Sequence, residues 1–157
     1  MASYRMSLLV CAGTGCVSNN SFKVKTALEK EIGRHGLQEE IQVVSTGCNG
    51  FCANGPIVVV KPENIFYQML KEEDIPHLVE EHFLKGRPVG RLMYTPAEGE
   101  HPIPKMSDIP FFGKQQLIAL ANRGLIDPEN IDEYIARGGY KALAKVLGQM
   151  SPEAVIG

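Results

Sequence analysis

The first apolar run, Ser7-Leu8-Leu9-Val10, is too short and too continuous for helical spacing, and it predicts a buried strand that delivers Cys11 at its end. Asn20 and Ser21 are both good helix N-caps. Val24, Leu28 and Ile32 follow at four-residue spacing, which predicts a helix stopped near Gly36. Ile41 to Ser45 is a second strand feeding Cys48. Ile57 to Lys61 is a third, closed by Pro62, and Ile65 to Leu70 a fourth. Asp74 then caps a helix with Pro76 in its first turn. Its stripe is Ile75, Leu78, Val79, His82 and Phe83, and Gly86 and Pro88 end it. The order β-α-β-β-β-α predicts a small α/β sandwich, with helices packed against a mixed sheet.

From Pro88 to Pro110 the pattern breaks. Five of the ten prolines fall in this stretch, which reads as an extended connector too interrupted for a regular helix, although Arg91 to Tyr94 could form a short strand. Leu117 to Ala121 is apolar without a period that separates strand from helix. Asp127-Pro128 opens a helix carrying Ile131, Tyr134 and Ile135 on one side. Gly138-Gly139 breaks it, and Tyr140, Leu143, Ala144 and Leu147 mark the next. Two such helices are too few for a core of their own and are expected to pack on something else. Ser151-Pro152-Glu153 announces another helix by its N-cap serine, proline at the first position and acidic second residue. The chain stops within that helix, as if cut short.

Composition narrows the function classes. The chain has 157 residues, 44% hydrophobic and 22% charged, enough apolar material for a core. Sixteen Lys and Arg against eighteen Asp and Glu leave a net charge of −2, which argues against a nucleic-acid binder held by phosphate contacts. The longest strongly apolar run is Ile57-Val58-Val59-Val60, so no segment is a candidate bilayer span. The N-terminus lacks the length and cleavage site of a signal peptide. The expected location is the cytoplasm.

The chemistry lies in four cysteines, Cys11, Cys16, Cys48 and Cys52, spaced C-x4-C and C-x3-C. In a reducing compartment, paired thiols of this kind point to metal ligands or redox groups before structural disulfides. Five of the sixteen glycines (Gly13, Gly15, Gly47, Gly50 and Gly55) flank or separate them. Glycine lets backbone N–H groups turn toward an anion, and a cluster held by four thiolates is strongly anionic. Cys16 lies just before the first helix, whose N-terminal amides favour the same charge. Neither pair has the C-x-x-C spacing of a dithiol enzyme. A plant-type ferredoxin also begins C-x4-C but needs a cysteine where Asn19 stands. A [2Fe–2S] site with two ligands per iron fits best; structural zinc, and disulfides or free thiols, remain open.

His82 reads as a core histidine on an apolar stripe, while His35, His77 and His101 carry no signal. Glu72-Glu73-Asp74 is a charge cluster at a helix start, not a catalytic carboxylate pair. No residue is a candidate acid, base or nucleophile.

Two stretches carry a family resemblance. Residues 7–87, with the run Thr46-Gly47-Cys48-x-Gly50-x-Cys52-x-x-Gly55-Pro56, resemble the thioredoxin-like [2Fe–2S] ferredoxins, a type also found as a small subunit of NADH dehydrogenases. The second comprises Pro110-Phe111-Phe112-x-Lys114-Gln115, Ile126-Asp127-Pro128-Glu129-Asn130-Ile131-x-Glu133-Tyr134-Ile135, Gly139-Tyr140-x-Ala142-Leu143 and Met150-Ser151-Pro152-Glu153. It is similar to the opening of the NADH-binding flavoprotein subunit of complex I. Relatives of that subunit occur in NAD(P)-linked, often electron-bifurcating, [FeFe] hydrogenases and formate dehydrogenases.

The resemblance implies three parts: a thioredoxin-like [2Fe–2S] ferredoxin domain over residues 1–87, a proline-rich linker over 88–110, and the start of a flavoprotein over 111–157. It implies that Cys11 and Cys16 bind one iron, and Cys48 and Cys52 the other. FMN, NAD(P) and a [4Fe–4S] cluster belong to a part expected beyond Gly157, so this chain would be an electron carrier without a complete active site. The implied partners are a small ferredoxin-like subunit and a catalytic hydrogenase or formate dehydrogenase subunit of a cytosolic NAD(P)H-dependent oxidoreductase. The alternative is a zinc-stabilised interaction module without a redox role.

Overall fold

A computed structural model of the chain describes residues 4–97 and 100–157. They fall into two compact units, Met1–Arg123 and Gly124–Gly157.

The first unit is built on a four-stranded sheet in the order β2-β1-β3-β4. Strand β1 (Met6–Cys11) lies parallel to β2 (Ile41–Thr46) and antiparallel to β3 (Val58–Lys61), which pairs antiparallel with β4 (Ile65–Tyr67). The register sets Leu9 opposite Val44 on one side and Val59 on the other. A parallel neighbour cannot be reached by a tight turn, so the chain between β1 and β2 must cross over the sheet. It does so through α1 (Thr14–Ser18) and α2 (Ser21–Arg34).

Alternation along the strands gives the sheet two apolar faces. Leu8, Val10, Val58, Val60 and Tyr67 face Val24, Leu28 and Ile32 of α2, together with Ile75, Leu78, Val79 and Phe83. Those last four residues lie on α3 (Ile75–Leu78) and the wider π-helical turn that continues it over Val79–Leu84. Leu9, Cys11, Val59 and Phe66 point to the opposite face, under Ile109 and Phe112.

The expected connector packs on the sheet over part of its length. Val89, Leu92, Met93 and Ile109 are buried, and only Glu98 and Gly99 of this stretch lie outside the described residues. Bridges Tyr67 to Met93, Tyr94 to Ile103 and Ile65 to Lys105 lay it along the outer edge of β4. Prolines keep it extended, and its apolar residues dock it. Arg91 to Tyr94 makes a tight turn over Gly90–Leu92 and these isolated bridges, not a strand.

Other differences are local. A short extra helix, the five-residue α1, precedes the expected one, so Cys16 lies inside α1 as well as ahead of α2. Asn20 stands before α2 in the left-handed region (φ 67°) with no side-chain cap, and the buried Ser21 hydroxyl has no partner among the described residues. Strand β4 ends at Tyr67, short of Leu70, because Met69 turns to φ 51°. Leu117 to Ala121 forms turns.

The second unit holds α5 (Ile131–Ala136), α6 (Lys141–Gln149) and α7 (Pro152–Ile156); the remaining helix, α4 (Pro110–Gly113), belongs to the first. The cap of α5 is Asn130, which accepts from the Asp132 and Glu133 amides, not Asp127. Ser151 caps α7 as its sequence predicts, accepting from Ala154 N at 3.3 Å. None of these three helices contains a buried residue, in keeping with two or three short helices being unable to close a core.

Candidate metal centre

The parallel pair β1 and β2 ends at one edge of the sheet, and each strand runs directly into a cysteine loop. Cys11 is the last residue of β1, where its amide donates to Ile57 O at 3.0 Å. The Ala12 amide donates to Thr46 O at 2.9 Å, so the two loops leave the sheet side by side. Cys16 follows on α1, and Cys48 and Cys52 lie on the loop after β2.

The loops interleave. A Cβ added to Gly13 would stand 2.8 Å from Cys48 Cβ, and one on Gly15 3.0 Å from Cys52 Cβ. A Cβ on Gly55 would meet Cys16 Sγ at 2.7 Å. Glycines of each loop are thus pressed against cysteines of the other, closer than side-chain carbons normally approach. Space is what these three positions require. The amide-turning role that the sequence suggested for glycine is seen at Gly50, whose φ of 78° lets its N–H donate to Cys48 Sγ at 3.3 Å.

All four sequence-predicted cysteines are therefore brought to one end of the sheet. Cys11 and Cys16 are buried, at 1% exposure each, whereas Cys48 and Cys52 are exposed, with their sulfurs 4.0 Å apart. Burial, then the hydrogen bond and charge of Cys11, push the Cys16 thiol up to about 12, against a lowering contribution from the Ile57 amide. The Cys52 thiol is raised chiefly by its bond to Cys48. Crowding makes four simultaneous thiolates unfavourable unless cationic metal stands among them. Among the described residues no three His, Cys, Asp or Glu side chains surround one point that a single ion could take.

His82 is where the sequence puts it, in the core under the helices. It is held between the Tyr67 hydroxyl at 2.9 Å and Glu63 Oε2 at 2.6 Å. Two neighbours of the cysteines were not legible in the sequence. Phe51, between Cys48 and Cys52, stacks on Phe111 (5.1 Å, 28°) and meets Phe112 edge-on (5.4 Å). Arg123 donates to Cys48 O at 3.1 Å. The Phe111-Phe112 pair was a detectable signal, but it read as belonging to the following segment.

A half-parallel sheet with four cysteines at one edge is compatible with an iron–sulfur centre or with structural zinc. The family model "Thioredoxin-like [2Fe-2S] ferredoxin" matches residues 2–82, and the chain belongs to that family. Its cofactor is a [2Fe–2S] cluster, and the four-cysteine cradle fits one. The 2Fe-2S ferredoxin of Clostridium pasteurianum is 39% identical over 77 residues, 49% of this chain and 76% of that protein. The NADP-reducing hydrogenase subunit HndC of Solidesulfovibrio fructosivorans is 58% identical over 43 residues, 27% of this chain but 9% of that subunit. Among solved structures, the wild-type thioredoxin-like [2Fe–2S] ferredoxin of Aquifex aeolicus superposes with a TM-score of 0.53 at 30% identity, over 57% of this chain and 96% of that one. No helix among the described residues is long and apolar enough to cross a membrane.

Proposed function

We propose that Cys11 and Cys16 hold one iron and Cys48 and Cys52 the other, and that this centre passes single electrons within a multi-subunit NAD(P)H-linked oxidoreductase of the hydrogenase or formate dehydrogenase type, including its electron-bifurcating forms. The cluster supplies one-electron redox chemistry at the sheet edge. The chain supplies the rest: two buried sulfurs fix the site to β1 and α1, and two exposed sulfurs present it to a partner. The observation that carries the assignment is the interleaving of Gly13, Gly15 and Gly55 with cysteines of the opposite loop. The similarity to a hydrogenase subunit supports the setting. In this reading residues 1–87 are the ferredoxin domain, and the segment from 111 onward opens a flavoprotein that would bind FMN and NAD(P) beyond this chain.

The purified chain should contain about two iron and two acid-labile sulfide, and dithionite should produce a single rhombic EPR signal. Cys52→Ala should abolish that signal, because one iron loses a ligand. One zinc and no iron in an anaerobic preparation would overturn the reading and favour the zinc-stabilised module.

A further inference from the structure

We propose that residues 109–123, beyond the part matched by the family model, form a strap against the Cys48–Cys52 loop, and that Phe111 and Arg123 are positioning residues for that loop. Three observations meet there. Ile109 and Phe112 are anchored in the second face of the sheet, Phe112 against Phe66 at 5.4 Å, so the strap has a fixed root. From that root Phe111 reaches the cysteine loop: its ring stacks on Phe51 and comes within 3.5 Å of where a Cβ on Gly50 would stand. Arg123, a half-buried residue, closes the far end with a solvent-exposed hydrogen bond from its guanidinium to the carbonyl of Cys48 itself.

Each contact has a distinct physical effect. Gly50 is the residue whose amide donates to Cys48 Sγ, and it does so only in a left-handed conformation. A ring lying against it holds that conformation and keeps the amide aimed at the sulfur. Phe51, one residue on, is clamped by both Phe111 and Phe112, which fixes the path from Cys48 to Cys52. Arg123 adds a permanent cation one peptide unit from a ligand sulfur, and a cation there favours the more negative, reduced form. Without the strap, Phe51 would lose its stacking partners and the Cys48–Cys52 loop its fixed path. The strap thus holds the two exposed sulfurs in place, and it raises the affinity of the centre for an electron.

This inference rests on Cys48 and Cys52 being ligands, so its test includes a readout that does not. In the whole cluster-loaded chain, Phe111→Ala should accelerate iron loss to a chelator several-fold while leaving the initial iron content unchanged, and Phe111→Tyr should restore the wild-type rate. Arg123→Ala should shift the midpoint potential to a more negative value, and Arg123→Lys should bring it back. In the metal-free chain, Phe111→Ala should speed amide exchange at Gly50 and Phe51 with no change in the strands. Unchanged chelation, potential and exchange in both alanine variants would overturn the strap. If the chain holds no iron, the ligand assignment falls, while exchange at Gly50 and Phe51 still decides whether the strap exists.

Discussion

Gly55→Ala is the sharpest perturbation the structure offers. Gly55 has φ −74° and ψ 156°, an extended conformation open to any residue, so alanine there carries no backbone strain. The whole effect must come from the new methyl group. Its position is 2.7 Å from Cys16 Sγ, and 3.4 Å from both Cys16 Cα and Cys52 O. Non-bonded heavy atoms settle at about 3.5–4.0 Å, so the sulfur must retreat by about 1 Å. Cys16 is buried at 1% exposure and packed among Leu9, Cys11 and Ile57, which leaves it no open side to move toward. Overpacking of this kind costs about 1–3 kcal/mol. At roughly 4–8 °C per kcal/mol for a domain of this order, the metal-free chain should melt about 5–20 °C earlier. With Cys16 as a ligand, as proposed, its displacement by about 1 Å should also cut iron and sulfide content well below the wild-type value. Gly33→Ala is the internal control: it lies near the end of α2 with nothing near its Cβ position, and it should gain about 0.5–1 kcal/mol. Full iron content and an unchanged melting temperature in Gly55→Ala would refute the view that glycine is there for close approach.

Two further outcomes follow from the same structure. Tyr67→Phe removes a buried hydroxyl that bonds His82 Nδ1 and accepts from Val89 N at 3.1 Å; each group left unpaired costs about 1–3 kcal/mol, and urea denaturation with an unchanged m-value should show the loss. Amide exchange through residues 124–157 should be fast compared with β1 and β3, since α5, α6 and α7 bury nothing, and strong protection there in the isolated chain would contradict the observed burial.

What the sequence revealed divides along a physical line. Strands β1, β2 and β3 were legible because apolar runs bounded by glycine, cysteine and proline have few other solutions, and the four cysteines were legible because thiols at fixed spacings are rare. The five-residue α1 was not, since one helical turn shows no period, although it decides that Cys16 is buried. The stripe on α3 was read correctly down to Phe83, but not its opening into a π turn over Val79–Leu84, which leaves the buried face unchanged. The stretch after Pro88 misled because prolines dominate its local signal. Val89, Leu92, Ile109 and Phe112 are spaced irregularly, and only tertiary contact shows that they belong to the core. Arg123 was invisible for a related reason: its partner is a backbone carbonyl 75 residues away.

The edge of β4 gives those prolines a second meaning. A strand at a sheet border exposes a row of backbone donors and acceptors on which another chain can template itself. Here Phe66 donates to the carbonyl of Pro104 at 2.8 Å, and Ile103 donates back to Tyr94 at 2.8 Å. The border strand is therefore finished by a segment whose Pro102 and Pro104 have no N–H to offer outward. A border covered in this way offers less free backbone on which another chain can pair. The residues that read as a connector in the sequence also cover a border of the sheet.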